Sequence, residues 1–411
     1  MGLSELCGPL RLCVENSPRG IGNSQRKDAK NRKAREVNTR MKSGDKRILL
    51  VLPEAFGCEG GIQMFCRSLC LAAGRWAESH HASVSAIVLN DRNAPDSRYV
   101  NGGFSSYVAA GKSKARVVSA YLQQNVRHRN DLVIFGHVSL APLMLIPTTR
   151  NPKTCIITYG IEVWQSPGRA EEQALRKADS VLAISDYTRS EVLKLNRMSP
   201  DKVRLFPCSL DPYWSAEDSK PQALSGVPVI LTVCRLTKDD AYKGVDSVIK
   251  SLPAVVRGCG PVAYRIVGEG DDVPRLISLA EELGVSRYIT FVGALTEHAL
   301  RSEYQRCSLF VMPSEGEGFG IVFLEAMAHG KPVIGGAHGG TTSVIEHEES
   351  GLLVNRVDVD SLAHSITRIL KDDELRLRLG RAGNERVRHD FSFRSFQANF
   401  DSYMRTVFPA D

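Results

Sequence analysis

The sequence has 411 residues, 43% of them hydrophobic, which is more than one ordinary core requires and enough for two domains. Its formal net charge is +7, from 53 basic and 46 acidic side chains. Residues 1–46 hold 11 of the basic and 5 of the acidic side chains, so the remaining chain is nearly neutral. We therefore expect a disordered basic extension over residues 1–46. The near-neutral charge of the chain from residue 47 onward argues against a nucleic-acid partner.

Membrane and redox signals in the sequence are weak. No run of 18 apolar residues occurs, and Glu5, Arg11 and Glu15 interrupt the start of the chain, so we expect neither a membrane span nor a signal peptide. This predicts a cytoplasmic protein. The basic stretch 112–129 leaves peripheral contact with the inner membrane face open, although an ordinary packed helix explains it better. The ten cysteines form no C-x-x-C pair, which favours free thiols over a metal site.

From residue 47 onward, apolar runs of strand length alternate with helical patterns, which is typical of parallel sheets covered by helices. The first five runs lie at 47–53, 82–89, 132–135, 155–159 and 180–184. After a stretch rich in Pro, Ser and Asp at 210–227, five more follow at 229–234, 263–267, 288–292, 309–312 and 332–334. Helical patterns end the chain at 361–370, 374–388 and 393–407. We predict an α/β protein with Rossmann-like domains at 47–215 and 216–392 that face each other across a cleft, and a last segment at 393–411.

The most informative segment is 313–334, which reads PSEGEGFGIVFLEAMAHGKPVI. Its Gly-rich first half predicts a loop, and a helix begins at about Ile321. Backbone N–H groups around Gly318 and Gly320 would then point out of the helix N-terminus, where they can bind an anion or sugar hydroxyls. With Glu317 in the loop and Glu325 in the helix, the two carboxylates could hold different parts of one elongated ligand.

A second segment, 229–244, predicts a strand that runs into a loop with two cations, Arg235 and Lys243. Either residue alone is more often part of a surface ion pair. Two cations at the end of one parallel strand instead indicate a site that neutralises a diphosphate, in place of a metal ion.

Three further signals are weaker. Gly60 and Gly61 would let backbone amides approach a phosphate, but a turn with positive φ explains them equally well. His137 follows an apolar run and could donate to a sugar hydroxyl or be a core histidine. Asp358 and Asp360 have the D-x-D spacing of a metal site, yet we interpret them as acids at a helix start. The sequence contains neither a G-x-G-x-x-G fingerprint nor a P-loop.

Together these segments resemble the retaining glycosyltransferases of family 4, which have the GT-B fold, and the resemblance extends from residue 47 to about 407. Its most specific element is E-x(7)-E, formed by Glu317 and Glu325. The supporting elements are short and occur in the same order, at Gly60-Gly61, 160–164, 183–185, Arg235-Leu236, Lys243-Gly244, 267–270 and 330–333.

The resemblance implies transfer of a hexose, with retained configuration, from a nucleoside diphosphate sugar to a hydroxyl of a glycan or lipid-linked acceptor, without metal or cofactor. The implied donor site comprises Gly60, Gly61, Arg235, Lys243, Leu295, Glu317, Gly318, Phe319, Gly320, Ile321 and Glu325. Its implied catalytic residues are His137, Arg235, Lys243 and Glu317. In this scheme Arg235 and Lys243 bind the diphosphate, Glu317 binds the sugar, and Glu325 binds the ribose.

The resemblance also implies residues on the acceptor side of the cleft. The resemblance places Tyr159, Glu162 and Trp164 there, although many relatives have a histidine at the position of Tyr159. It also implies that the helix at 393–407 crosses back onto the first domain. Two alternatives stay open: a nucleotide-sugar epimerase of the same fold, which would convert the donor alone, and a nucleic-acid binder that uses the basic extension.

Overall fold

The computed structural model of the chain describes residues 45–127, 129–147, 151–196, 198–214 and 226–409. The predicted extension, apart from its last two residues, and most of the predicted linker at 210–227 lie outside these ranges. The described residues form two parallel sheets, one of seven strands and one of six, each covered by helices. The predicted fold class is confirmed. The boundary between 215 and 216 stays a prediction, because it falls outside the described residues.

The first sheet has the strand order β3-β2-β1-β4-β5-β6-β7. Its strands are β1 Arg47–Leu52, β2 Ser83–Val88, β3 Phe104–Ala109, β4 Leu132–Phe135, β5 Lys153–Thr158, β6 Ser180–Ala183 and β7 Val203–Leu205. Its helices are α1 Gly61–Ser79, α2 Lys114–Arg127, α3 Ile161–Trp164, α4 Arg169–Lys177 and α5 Asp186–Asn196, with a 3-10 helix at Val138–Leu145. The strand order reverses between β1 and β4, and a crevice opens beyond the carboxyl ends of such strands.

The second sheet has the strand order β10-β9-β8-β11-β12-β13, with its reversal between β8 and β11. Its strands are β8 Val229–Val233, β9 Ala263–Val267, β10 Ile289–Gly293, β11 Leu309–Met312, β12 Val333–Gly336 and β13 Leu352–Val354. The helices of this half are α6 Val245–Cys259, α7 Val273–Glu282, α8 Glu297–Arg306, α9 Ile321–Ala328, α10 Thr341–Val344, α11 Val359–Lys371, α12 Asp373–Asp390 and α13 Phe393–Val407. The loops that carry the predicted cations and glutamates therefore follow β8 and β11, at the reversal.

Ten strands lie within a few residues of their predicted positions, and three strands were missed. The missed strands are β3, β7 and β13, and each lies at the edge of its sheet. Strand β3 is only half-buried, and β7 and β13 have three residues each. An edge strand buries less side-chain surface than a central one, so its sequence lacks the continuous apolar run on which the prediction depended.

The last helix, α13, packs against the first domain. Gln397 donates a hydrogen bond to the carbonyl oxygen of Ala72 in α1 over 3.2 Å. The rings of Phe396 and Phe65 meet edge to face with centroids 5.4 Å apart. The chain therefore runs from the first sheet to the second and ends against the first. No helix within the described ranges is long and apolar enough to cross a membrane.

Candidate active site

The loop after β8 holds Arg235 at the cleft. One guanidinium nitrogen donates to Asp240 over 2.8 Å, and Asp240 also accepts a 2.6 Å hydrogen bond from the hydroxyl of Thr237. Asp240 is buried, whereas the side chain of Arg235 is 49% exposed. The guanidinium is thus anchored on one side and open to a ligand on the other. No local pattern around Asp240 indicates that it is this anchor.

Glycines after β9 determine the backbone path beneath Arg235. A Cβ atom on Gly268, which has a φ of +138°, would lie 1.8 Å from the carbonyl oxygen of Cys234. One on Gly270 would lie 2.0 Å from the carbonyl oxygen of Leu236. Only glycine allows backbones this close, so Gly268 and Gly270 let the loop after β9 pack directly against the backbone on either side of Arg235.

Lys243 and Glu317 form an ion pair at the centre of the site. They are 74 residues apart in the chain, and Lys243 Nζ lies 2.5 Å from Glu317 Oε2. Both side chains are largely buried, at 14% and 17% exposure. Burial favours the neutral amine, but the adjacent carboxylate outweighs it, so the pKa of Lys243 is raised and the side chain stays cationic.

The Gly-rich loop before α9 is held by backbone contacts. Gly320 has a φ of +98° and begins the helix without a side-chain cap, so Glu317 does not cap the helix. The amide of Gly340 donates to the carbonyl oxygen of Glu317 over 2.6 Å. A Cβ atom on Gly340 would lie 1.8 Å from the carbonyl oxygen of Gly318. Sequence reasoning missed Gly340, whose role depends on the loop after β12 lying against this one.

Glu325 is buried inside α9 rather than solvated on its surface. Its Oε2 accepts a 2.7 Å hydrogen bond from the phenol of Tyr304 in α8. Burial raises the pKa of Glu325 to about 7, and the hydrogen bond from Tyr304 opposes part of that rise. A carboxylate with this pKa changes its charge near neutral pH.

Loops of the two domains meet across the cleft. A Cβ atom on Gly61 would lie 3.6 Å from Ile321 Cδ1, at the start of α9. A Cβ atom on Gly318 would lie 2.2 Å from the carbonyl oxygen of Tyr159, and one on Gly160 would lie 3.0 Å from Gly318 Cα. Glycines on both sides thus bring the two domains into contact next to the Lys243–Glu317 pair.

Asp91 holds the loop that leads from β1 to Gly60 and Gly61. Its carboxylate accepts backbone hydrogen bonds of 3.0–3.2 Å from three successive residues, Ala55, Phe56 and Gly57. The phenol of Tyr107 donates to the same carboxylate over 2.5 Å. Asp91 is fully buried, and the sequence analysis did not single it out, although it lies two residues after the apolar run at 82–89.

His137 is the N-cap of the 3-10 helix that follows β4. Its Nδ1 accepts the backbone N–H of Ser139 over 3.1 Å, so the proton of the neutral ring lies on Nε2. Burial lowers the pKa of His137, although the nearby carboxylate of Glu162 acts in the opposite direction. A neutral imidazole with an Nε2–H group can donate to a ligand hydroxyl.

The predicted acceptor-side residues turn out to be occupied by internal contacts. The Tyr159 side chain is buried with its hydroxyl 3.8 Å from Cys66 Sγ, so its phenol faces the core and only its backbone borders the cleft. Glu162 accepts the backbone N–H of Tyr159 over 2.5 Å. The indole N–H of Trp164 donates to Thr188 over 3.2 Å. The acceptor-side role of Tyr159, Glu162 and Trp164 stays a prediction.

Two other predicted donor residues need comment. The ring of Phe319 meets Phe391 edge to face, with centroids 5.6 Å apart, so only its backbone can reach a donor. Leu295 lies after β10, half-buried against the core.

The D-x-D pair lies at the start of α11. Asp358 caps α11 by accepting the N–H of Ser361 over 2.9 Å, and Asp360 lies in the first turn of that helix, as interpreted. Among the residues described, no three His, Cys, Asp or Glu side chains are grouped as metal ligands.

The site therefore combines cations at the end of β8, carboxylates at both ends of a Gly-rich segment, and loops from two facing α/β domains. Solved structures share the fold of these two domains. Sucrose-phosphate synthase from Thermosynechococcus elongatus has a TM-score of 0.71 at 22% identity, over 89% of this chain and all of the other. Anabaena HepE, solved in complex with UDP, has a TM-score of 0.66 at 18% identity, over 88% of this chain and all of the other. The fold is that of the GT-B glycosyltransferases.

Sequence comparison identifies the family. The model of the family described as "Glycosyl transferases group 1" matches residues 215–386. The chain is 31% identical, over 302 residues, to a GDP-mannose-dependent alpha-(1-6)-phosphatidylinositol monomannoside mannosyltransferase of Mycobacterium tuberculosis, covering 68% of this chain and 76% of the relative. The Mycolicibacterium smegmatis protein of the same description is 27% identical, covering 85% of this chain and 95% of the relative. The chain belongs to the glycosyl transferases group 1 family and is a glycosyltransferase.

Proposed function

We propose that this protein transfers mannose from GDP-mannose, with retained configuration, to a hydroxyl of a lipid-linked polyol. The observation that carries the proposal is the Lys243–Glu317 ion pair, which places a cation that could bind a diphosphate beside a carboxylate that could bind a sugar. The choice of mannose, guanosine and a lipid-linked acceptor follows the names of the mycobacterial relatives. A uridine donor is the rival choice, because a protein of similar fold was solved with UDP.

The donor diphosphate would bind to Arg235 and Lys243. Arg235 is anchored by Asp240 and half-exposed, so it can bind phosphate oxygens without first being ordered. Lys243 is held by Glu317 and would share its ammonium protons with the incoming phosphate. Fixed cations in a partly buried site stabilise the charge that develops on the departing diphosphate. We propose this stabilisation as the main catalytic device, with no metal ion required.

The transfer step needs a hydrogen-bonded sugar and a destination for one proton. Glu317 would accept a hydrogen bond from a hydroxyl of the mannose. The Nε2–H of His137 would donate a hydrogen bond to a sugar oxygen near the reacting carbon. The bond between the anomeric carbon and the diphosphate oxygen breaks as the acceptor oxygen bonds to the same face. The acceptor proton passes to an oxygen of the departing diphosphate.

Peripheral membrane contact would bring the enzyme to a lipid-linked acceptor, and α2 is the candidate surface. The helix buries Val117 and Tyr121 against the domain. On its outer side Leu122 and Val126 are exposed, Val126 by 76%. Exposed Lys114 lies at its first turn. Exposed apolar residues with cations nearby suit an anionic lipid surface.

Vesicle co-sedimentation tests this contact. The chain without residues 1–46 is used, so that the basic extension cannot bind the lipid. We expect it to pellet with vesicles that contain phosphatidylinositol, and the variant Leu122→Ser/Val126→Ser to stay in the supernatant. A matched control, Ile277→Ser, removes an exposed apolar residue from α7 of the other domain. Equal pelleting of all three proteins would contradict a role for α2.

Product analysis tests the transfer itself. The protein is incubated with GDP-mannose and a phosphatidylinositol mannoside acceptor, and the anomeric configuration of the product is read by NMR. We expect an α-linked mannose from the α-linked donor. UDP-glucose is the matched control donor, and we expect no transfer from it. Transfer from the uridine donor alone would refute the choice of GDP-mannose. Conversion of GDP-mannose to an epimer without acceptor would instead favour the epimerase alternative.

A further inference from the structure

Tyr304 connects the core of the second domain to the predicted ribose site. It lies in α8 and is fully buried, and its phenol donates a 2.7 Å hydrogen bond to Glu325 Oε2. The bond occupies one of the two carboxylate oxygens. The other oxygen, Oε1, then keeps its full capacity to accept a hydrogen bond from a ligand hydroxyl, and the bond to Oε2 fixes the orientation of the Glu325 carboxylate.

Aromatic neighbours hold the Tyr304 ring in place. His329, just after α9, stacks on it with centroids 5.9 Å apart and an interplanar angle of 10°. Trp214 meets it edge to face at 6.0 Å, and Phe310 of β11 lies at 5.9 Å on another side. A ring packed in this way cannot turn its hydroxyl away from Glu325 without a disturbance of the core.

We propose that Tyr304 is a positioning residue for donor binding, which orients the Glu325 carboxylate so that its free oxygen accepts a ribose hydroxyl. The inference rests on the proposed function in one respect, the binding of a nucleoside diphosphate at this site. It goes beyond that function by assigning a task to a residue that does not itself touch the donor.

The charges around Glu325 favour its protonated form, so the hydrogen bond from the Tyr304 phenol helps to keep the carboxylate ionised. Burial raises the pKa of Glu325 to about 7, and nearby acids act in the same direction: Glu59 before α1, Glu297 at the start of α8, and Asp211 within the predicted linker at 210–227. The hydrogen bond from Tyr304 opposes them, and the stacked His329 ring has its own pKa lowered to about 4 by burial, so it is neutral at pH 7. Without the phenol, Glu325 would hold its proton to higher pH.

The test uses Tyr304→Phe, which keeps the ring and its stacking but removes the hydrogen bond. Calorimetry with GDP at pH 6.5, 7.5 and 8.5 measures the affinity, and 2′-deoxy-GDP serves as a probe that lacks one ribose hydroxyl. We expect GDP affinity to fall about tenfold at pH 7.5, the size of one lost hydrogen bond to a charged group. The loss should shrink at pH 8.5, where Glu325 regains its charge, and it should be smaller for 2′-deoxy-GDP.

Tyr264→Phe is the matched control, because Tyr264 is also buried in this domain but its hydroxyl lies 2.9 Å from Thr232. It should leave the affinity for GDP unchanged. An unchanged affinity in Tyr304→Phe, or equal losses for both nucleotides at every pH, would overturn the positioning role. If the wild type binds UDP and not GDP, the proposed donor is wrong, and the same comparison with UDP and 2′-deoxy-UDP still decides the role of Tyr304. Binding of neither nucleotide would overturn both proposals.

Discussion

Replacing Glu317 by glutamine should chiefly lower kcat. The amide keeps the size of the side chain, but its neutral carbonyl oxygen accepts a weaker hydrogen bond from the sugar than the carboxylate does as the glycosidic bond breaks. Loss of such a transition-state contact typically costs about 2–4 kcal/mol, or roughly 30- to 1000-fold in rate. The donor KM should change little, because the contacts to diphosphate and ribose remain.

The same substitution has a structural consequence that can be measured separately. It leaves the ammonium of Lys243, only 14% exposed, without its carboxylate partner. Breaking a fully buried pair costs about 3–5 kcal/mol. Since both side chains here keep some exposure, we expect a loss of about 1–2 kcal/mol in the free energy of unfolding.

A double variant separates the two effects. Glu317→Gln/Lys243→Met removes both charges, so it should recover most of the lost stability in urea unfolding while activity stays low. Steady-state kinetics with GDP-mannose and far-UV circular dichroism complete the assay. Near-normal kcat in folded Glu317→Gln protein would refute the placement of the sugar site.

Three other results are expected. Glu325→Gln should chiefly raise the donor KM. In the wild type the donor KM should rise about tenfold between pH 8 and pH 6, because protonation of Glu325 through a pKa of about 7 removes the carboxylate. A donor KM independent of pH would contradict this prediction. Activity should survive excess EDTA, and its loss with recovery on addition of Mn²⁺ would refute diphosphate binding by Arg235 and Lys243 alone. Removal of residues 1–40 should leave melting temperature and turnover nearly unchanged, whereas a large fall in turnover would show that the extension contributes to the fold.

The central strands and the charged segments could be predicted because their signals are local. A strand buried on both faces, such as Leu132–Phe135, is a continuous apolar run, and its predicted bounds are those in the structure. The segment from Glu317 to Glu325 combines glycines, a helix start and two carboxylates within nine residues. Motifs of this kind are recognisable without knowledge of what packs against them.

The parts that could not be predicted depend on neighbours distant in sequence. Tyr304 and Glu325 are 21 residues apart, and nothing in the pattern of α8 indicates that this tyrosine faces α9. The carboxylate of Asp91 holds a loop 34 residues earlier. The resemblance places Tyr159 at the acceptor side, but nothing in the local sequence indicates that its ring packs in the core with its hydroxyl near Cys66 of α1. Side-chain direction at a strand end follows from tertiary packing rather than from position alone.

Calorimetric titration of GDP-mannose in the presence of EDTA tests the donor site most directly. The wild type should bind at one site, and Arg235→Gln/Lys243→Met should lose that binding while its circular dichroism spectrum stays the same. Lys250→Met is the matched control, since Lys250 is a half-exposed cation of α6 paired with Asp246, and it should bind as the wild type does. Wild-type affinity in folded Arg235→Gln/Lys243→Met protein would contradict the donor site described above.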